Sequence, residues 1–150
     1  MAKEIERKFL TTSDSYKTAA FAHTEIIQGY LSTSPDATVR LRLHDDKAYI
    51  TVKTRTDGCT RGEWEYEIPH EEALEMLPAC GTHLIEKTRW LVAGSNGLTW
   101  EVDEFHGRHA GLVVAEIELP SEDSPFERPD FIGAEVTGQP QYYNSVLSGV

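Results

Sequence analysis

At 150 residues, 39% hydrophobic and 26% charged, the chain holds enough apolar material to bury one core without disulfides or structural metals, and too much to remain disordered. Its formal net charge of -11 argues against a broad DNA- or RNA-binding face, which would need many Lys and Arg contacts to phosphates, yet leaves room for a small basic pocket. No stretch has the apolar length of a signal peptide or a membrane span, so the expectation is one domain over residues 1–150, in the cytoplasm, with no nucleic-acid or membrane partner.

In chain order, the first predicted element is a strand over 3–10, with Glu4, Glu6 and Lys8 on one face and Ile5 and Phe9 on the other. Ser13 or Asp14 is placed to cap a short helix running toward Phe21, and a second strand is predicted over 25–32. The strand over 38–44 sets Arg40 and Arg42 against Val39, Leu41 and Leu43, and after Asp45-Asp46 the strand over 47–55 sets Lys53 against Ile50 and Val52. Asp57-Gly58 leads into a strand over 62–69, where Glu63, Glu65 and Glu67 alternate with Trp64, Tyr66 and Ile68. The segment EEALEMLPAC begins as a helix after Pro69. The strand over 84–93 carries Lys87 and Arg89, Asn96-Gly97 is a hairpin signal, and the strands over 97–104 and 112–119 carry Glu101 with Asp103 and Glu116 with Glu118. PSEDSPFERPD reads as a surface connection, followed by a last helix over Tyr142 to Leu147. Cys59 and Cys80 lack CxxC spacing and are expected as reduced thiols.

A solvated sheet face usually mixes small polar residues with charges of both signs. Here, after the first strand, each charged face carries one sign. Neighbouring rows of Glu65, Glu67, Glu116 and Glu118, or of Arg40, Arg42, Lys87 and Arg89, would repel unless the first met a cation and the second an anion. About eight antiparallel strands also match the size at which a closed barrel just holds a small ligand. The expected fold is therefore α+β: an eight-stranded antiparallel β-barrel, charged inside and apolar outside, with a few helices packed on its exterior. Hard carboxylate donors suit Mg²⁺ or Mn²⁺, Arg and Lys suit phosphate oxygens, and together they are the equipment of phosphoryl transfer.

EIERKFL, with its ExExK pattern, is followed in order by QGYL at 28–31, TVRLR at 38–42, EYEIP at 65–69, EKTR at 86–89, WEVDEF at 100–105, AEIEL at 115–119 and IGAEVT at 132–137. This set resembles the CYTH superfamily, also called triphosphate tunnel metalloenzymes, which includes bacterial inorganic triphosphatases, class IV adenylyl cyclases and thiamine triphosphatase. The resemblance implies a tunnel in which Glu4, Glu6 and Glu118 bind a metal, joined by Glu116 and Asp103, while Glu65 and Glu67 complete the acidic wall. It implies that Lys8, Arg40, Arg42, Lys53, Lys87 and Arg89 hold the phosphates, and that Glu65, Glu67, Asp103, Glu116 and Lys87 are the candidates for catalysis. Thr54 follows Lys53 where many members have glycine. An HxxH at His106 and His109 has no third ligand nearby and is not expected to bind metal.

The compact chain leaves little sequence for a nucleobase pocket. The leading expectation is hydrolysis of inorganic triphosphate with Mg²⁺ or Mn²⁺ as cofactor and a small polyphosphate as substrate. Adenylyl cyclase, thiamine triphosphatase and a non-catalytic polyphosphate or nucleotide sensor are the alternatives. Oligomeric state is left open, a homodimer being one option.

Overall fold

A computed structural model of the chain describes residues 3–55 and 57–149. Among these residues nine strands form one antiparallel sheet: β1 (Lys3–Thr11), β2 (Ala22–Ser34), β3 (Ala37–His44), β4 (Lys47–Thr54), β5 (Thr60–Ile68), β6 (Leu84–Ala93), β7 (Thr99–Phe105), β8 (Val113–Glu118) and β9 (Ile132–Glu135). The strand order β5-β4-β3-β2-β6-β7-β8-β1 closes on itself because β1 divides its pairing along its length. Lys3 to Ile5 pair with β5, while Glu6 to Leu10 pair with β8. Closure removes the sheet edges that β1 and β5 would otherwise expose. The short β9 then lies against the far half of β1, at Phe9 and Thr11.

The eight expected strands are all present, within about three residues at each end. β2 begins three residues early, at Ala22 instead of residue 25, and carries an irregularity between Tyr30 and Ser32. β9 was not expected as a strand, because four residues containing a glycine show no readable alternation and its partner is distant in sequence. The turns follow their residues. Asn96 and Gly97 both take positive φ (54° and 74°) with Leu98 N–H bonded to Ser95 O, and Asp45 takes φ 57° between β3 and β4. The helices are short: α1 (Tyr16–Ala19), α2 (His70–Met76) and α3 (Asn144–Leu147).

The outward apolar faces are covered in two places. Phe9, Val92, Trp100, Val102, Ala115 and Ile117 pack under Tyr16 of α1, under Phe126 of the PSEDSPFERPD connection and under Phe131 just after it, with Phe9 edge-on to Trp100 at 5.5 Å. Leu43, Ala48 and Ile68 pack under Ala73 of α2 and the following Leu77. Burying a side chain such as Phe9 or Trp100 completely contributes roughly 2–3 kcal/mol before its ordering entropy. Gly29 is needed by close packing, since a Cβ there would lie 2.7 Å from Cys80 Sγ and from Leu84. A third cluster of Ile85, Phe105 and Val114 meets Leu147 of α3. These three strand residues share the inward face, so α3 stops one end of the barrel.

Candidate active site

The inward face follows from the ladder, because directly opposite residues in antiparallel pairs point the same way. Glu6 faces Glu118 and Lys8 faces Glu116 across β1–β8, Glu4 faces Arg61 across β1–β5, and Lys53 faces Glu63 across β4–β5. Arg89 faces Asp103 across β6–β7, and Glu101 faces Glu116 across β7–β8. These rungs enclose a cavity of about 140 Å³, lined by Glu4, Glu6, Arg40, Arg42, Lys53, Arg61, Glu63, Glu65, Arg89, Glu101, Glu116, Glu118 and Asn144. No aromatic or aliphatic residue is in that lining. At the mouth, Glu101 and Glu118 are shared with a wider cleft of about 560 Å³ walled by Leu91, Leu98, Leu119 and Pro120.

Charge inside is heavily paired. Glu4 receives Lys53 at 3.1 Å and the Arg61 Nε at 2.8 Å, and Arg61 also reaches Glu6 at 3.5 Å. Burial would push the Glu4 carboxyl up, but Lys53, a hydrogen bond from Glu63 and Arg61 together hold it well below the usual carboxylate range. Its neighbour behaves oppositely. Burial, with Glu116 and Glu4 alongside, pushes Glu6 up to about 8, and burial together with the hydrogen bond to Glu4 pushes Glu63 up to about 7. Glu116 resists its burial through Lys8 (3.5 Å), Arg89 and Lys87, and stays well below the usual range.

Beneath the cavity, Asp103 is saturated. Its Oδ1 accepts from Arg89 Nε at 2.8 Å, and its Oδ2 accepts from Arg89 Nη2 at 2.9 Å and Lys87 Nζ at 2.6 Å. Burial raises Asp103, but Arg89 and Lys87 more than reverse this and bring it to about 2. Lys87 is fully buried and, despite Asp103, is pushed down to about 7 by burial and by the charges of Arg89 and Arg42. It also donates to Asn144 Oδ1 of α3 at 3.3 Å, and Lys8 donates to Tyr142 O at 3.2 Å.

Of the residues expected from sequence, Glu4, Glu6, Glu65, Glu116, Glu118, Arg40, Arg42, Lys53 and Arg89 come together around the cavity, with Lys8, Lys87 and Asp103 at its base. Glu67 does not join them, being exposed at the Tyr49 rung of β4–β5. Arg61 and Asn144 also line the cavity without having been singled out, as do Glu63 and Glu101, which were named in the alternation but not assigned to the site. Arg61 was legible, since it continues the alternation of Glu63 and Glu65 one step back, past Gly62. Asn144 was not, because it arrives from a helix after a long irregular segment. His106 meets Thr88 Oγ1 at 2.7 Å and His109 meets Leu147 O, so the two histidines serve different contacts.

The donor set fits a hard divalent cation in chemical type: seven Glu carboxylates line the cavity, and burial with acidic neighbours pushes Glu6 up to about 8. In the present arrangement Glu4 and Glu6 are turned to lysine and arginine, and among the described residues no three acids or histidines are gathered on one point.

The model of the CYTH domain matches residues 2–148. The chain is 50% identical over 148 residues to an inorganic triphosphatase of Acetivibrio thermocellus, covering 98% of this chain and 94% of that protein. It is 33% identical to an inorganic triphosphatase of Nitrosomonas europaea, covering 97% and 96%. A crystal structure of the inorganic triphosphatase NE1496 superposes with a TM-score of 0.67 at 31% identity, covering 99% of this chain and 95% of that one. A closed antiparallel barrel with its charges turned inward, matched over nearly its whole length by the family model, places this chain in the CYTH family.

Proposed function

We propose that the protein is a metal-dependent inorganic triphosphatase that cleaves inorganic triphosphate to pyrophosphate and phosphate. The observation that carries this reading is the cavity itself: wholly polar, lined by interleaved cations and carboxylates, and with no surface for a nucleobase. The similarity to two inorganic triphosphatases supports it.

Mg²⁺ or Mn²⁺ held by Glu4, Glu6 and Glu118, with Glu116 beside them, would supply charge neutralisation on the phosphate oxygens and lower the pKa of a bound water. Asp103, expected among the ligands, is engaged on both oxygens, and its part in this proposal is to orient Lys87 and Arg89. Arg40 and Arg42 grip the phosphates through their planar forks, assisted by Lys8, Lys53 and Arg89. Water adds to the terminal phosphorus as the bond to the departing pyrophosphate breaks. Glu65, at the cavity rim, accepts the proton of that water, with the exposed Glu67 passing it on to solvent. Lys87 or Lys53 stabilises the charge growing on pyrophosphate.

Turnover of tripolyphosphate, ATP, thiamine triphosphate and pyrophosphate with Mg²⁺ and Mn²⁺ tests the assignment. Tripolyphosphate should give by far the highest kcat/KM, and ¹⁸O from labelled water should appear in phosphate. Cyclic AMP as the main product from ATP would replace the reading with a cyclase. The apolar cleft at the mouth favours a second, weaker activity on organic triphosphates whose tail rests against Leu91, Leu98 and Leu119.

A further inference from the structure

The cations inside the barrel divide by the company they keep. Lys8, Lys53, Arg61, Lys87 and Arg89 each lie within 4 Å of a carboxylate. Arg40 and Arg42 have no such partner among the described residues: Arg40 gives one hydrogen bond to Thr51 at 3.4 Å, and the buried Nε of both is unbonded. Neither is held in a close ion pair, so both guanidinium groups are left for a ligand.

Gln28 stands beside this pair. It is completely buried and lies directly opposite Arg42 in the β2–β3 ladder, so its side chain shares the inward face, with Cβ atoms about 5 Å apart. Neither its amide nitrogen nor its amide oxygen has a hydrogen-bond partner. On the other side its rung is Ile85, with Lys87 on the next inward rung opposite Ile26. Burying both ends of a carboxamide unbonded is unfavourable, and an apolar side chain of the same length would avoid the cost. The position therefore has a reason beyond packing.

We propose that Gln28 is a positioning residue for the anion seat, its amide oxygen accepting from Arg42 Nε when polyphosphate is bound, so that the outer fork of the guanidinium is aimed at a phosphate. A carboxamide does this without lending Arg42 a negative charge. Arg89 shows the contrast, since Asp103 and Glu101 orient it but also neutralise it. The amide nitrogen of Gln28 remains to donate to the same phosphate. The triphosphatase reading enters only in the choice of anion.

The test compares wild type with Gln28→Glu, which is nearly isosteric but adds the charge the proposal forbids, and Gln28→Met, which keeps length and loses the acceptor. Calorimetric titration of inorganic tripolyphosphate without added metal gives Kd, rates with Mg²⁺ give KM and kcat, and thermal melting reports the fold. Gln28→Glu should raise Kd and KM about tenfold or more, Gln28→Met several-fold, with kcat changed much less and melting nearly unmoved. Kd and KM within about twofold of wild type in a folded Gln28→Glu protein would overturn the proposal; if that variant does not fold, the same result for Gln28→Met would do so. Equal losses in melting and kcat at constant KM would reduce Gln28 to a packing residue and also overturn it. A wild type that binds tripolyphosphate without cleaving it would sink the triphosphatase reading alone. Cleavage by wild type with unchanged constants in the variants would sink this proposal alone.

Discussion

At the scale of single residues, the barrel is a set of buried ionisable groups whose states depend on one another. Glu4 is charged because Lys53 and Arg61 face it, while Glu6, two residues along the same strand, is pushed up to about 8 by burial and acidic neighbours. Changing either to Gln keeps the shape and removes a proposed metal donor. Each variant should lose about a hundredfold or more in kcat with Mg²⁺ while its melting profile keeps a single cooperative transition. Near-normal rates in both would end the assignment of Glu4 and Glu6 as metal ligands. Lys87 supports a second prediction. Its ammonium is brought down to about 7 by burial and by Arg89 and Arg42, so its neutral form gains weight as the pH rises above neutrality. A bound polyanion favours the charged form and raises that value, so binding should take up protons. Titrations of metal-free protein with tripolyphosphate at pH 8, in buffers of different ionisation enthalpy, should show uptake in wild type and less in Lys87→Met. Equal uptake in both would assign the proton elsewhere.

At the scale of elements, two contacts brace β5 and β1, the strands whose pairing closes the barrel. The first is where β4 meets β5: Thr54 Oγ1 accepts from the Gly62 backbone N–H at 3.1 Å, and a Cβ on Gly62 would lie 2.7 Å from that oxygen and from the Trp64 ring. Gly62→Ala should destabilise by about 1–3 kcal/mol through overpacking, read as a lower urea midpoint at unchanged m-value, and Thr54→Gly should recover part of the loss. The second is the clasp of β9 on β1, where the Arg7 guanidinium binds both oxygens of Glu135 and stacks on Phe126 at 4.9 Å. The hydrogen bonds from Arg7 hold the Glu135 carboxyl below its ordinary value despite partial burial. Because the folded value is the lower one, the clasp adds stability that is complete above the unfolded pKa, near 4.3, and is lost as pH falls through the folded value. Glu135→Gln should cost about 1 kcal/mol at pH 7, and the difference from wild type should vanish toward pH 2. A difference that persists at pH 2 would mean the pair acts through packing.

At the scale of the whole molecule, the fold inverts the usual distribution of charge, and two apolar exteriors under short helices and a loop balance a charged interior. An anion in the tunnel should therefore stabilise the entire barrel, since seven of its eight strands contribute residues to the lining of the cavity. Tripolyphosphate at about a hundred times its Kd adds roughly 2.7 kcal/mol, observable as a raised melting temperature. Arg42→Ala should abolish that shift even where the variant itself melts normally. A shift of equal size from sulfate at the same concentration would show screening of surface charge instead of occupancy of the tunnel.

The alternation that runs from EIERKFL through TVRLRL to VAEIELP, with turn residues between such stretches, was sufficient to place eight strands and the charged face of most of them, because strand periodicity is local and survives without knowledge of partners. What only the tertiary structure decided are the pairings between rungs: that Arg61 meets Glu4, that Asp103 is saturated by Lys87 and Arg89, that Glu67 stands outside, and that Asn144 reaches the cavity from α3. The short β9 belongs with these, as do the unbonded amide of Gln28 and the unbonded Nε atoms of Arg40 and Arg42. The division has one cause. Which way a residue faces is fixed by its neighbours two positions away, whereas what it faces is fixed by the register of strands that lie far apart along the chain.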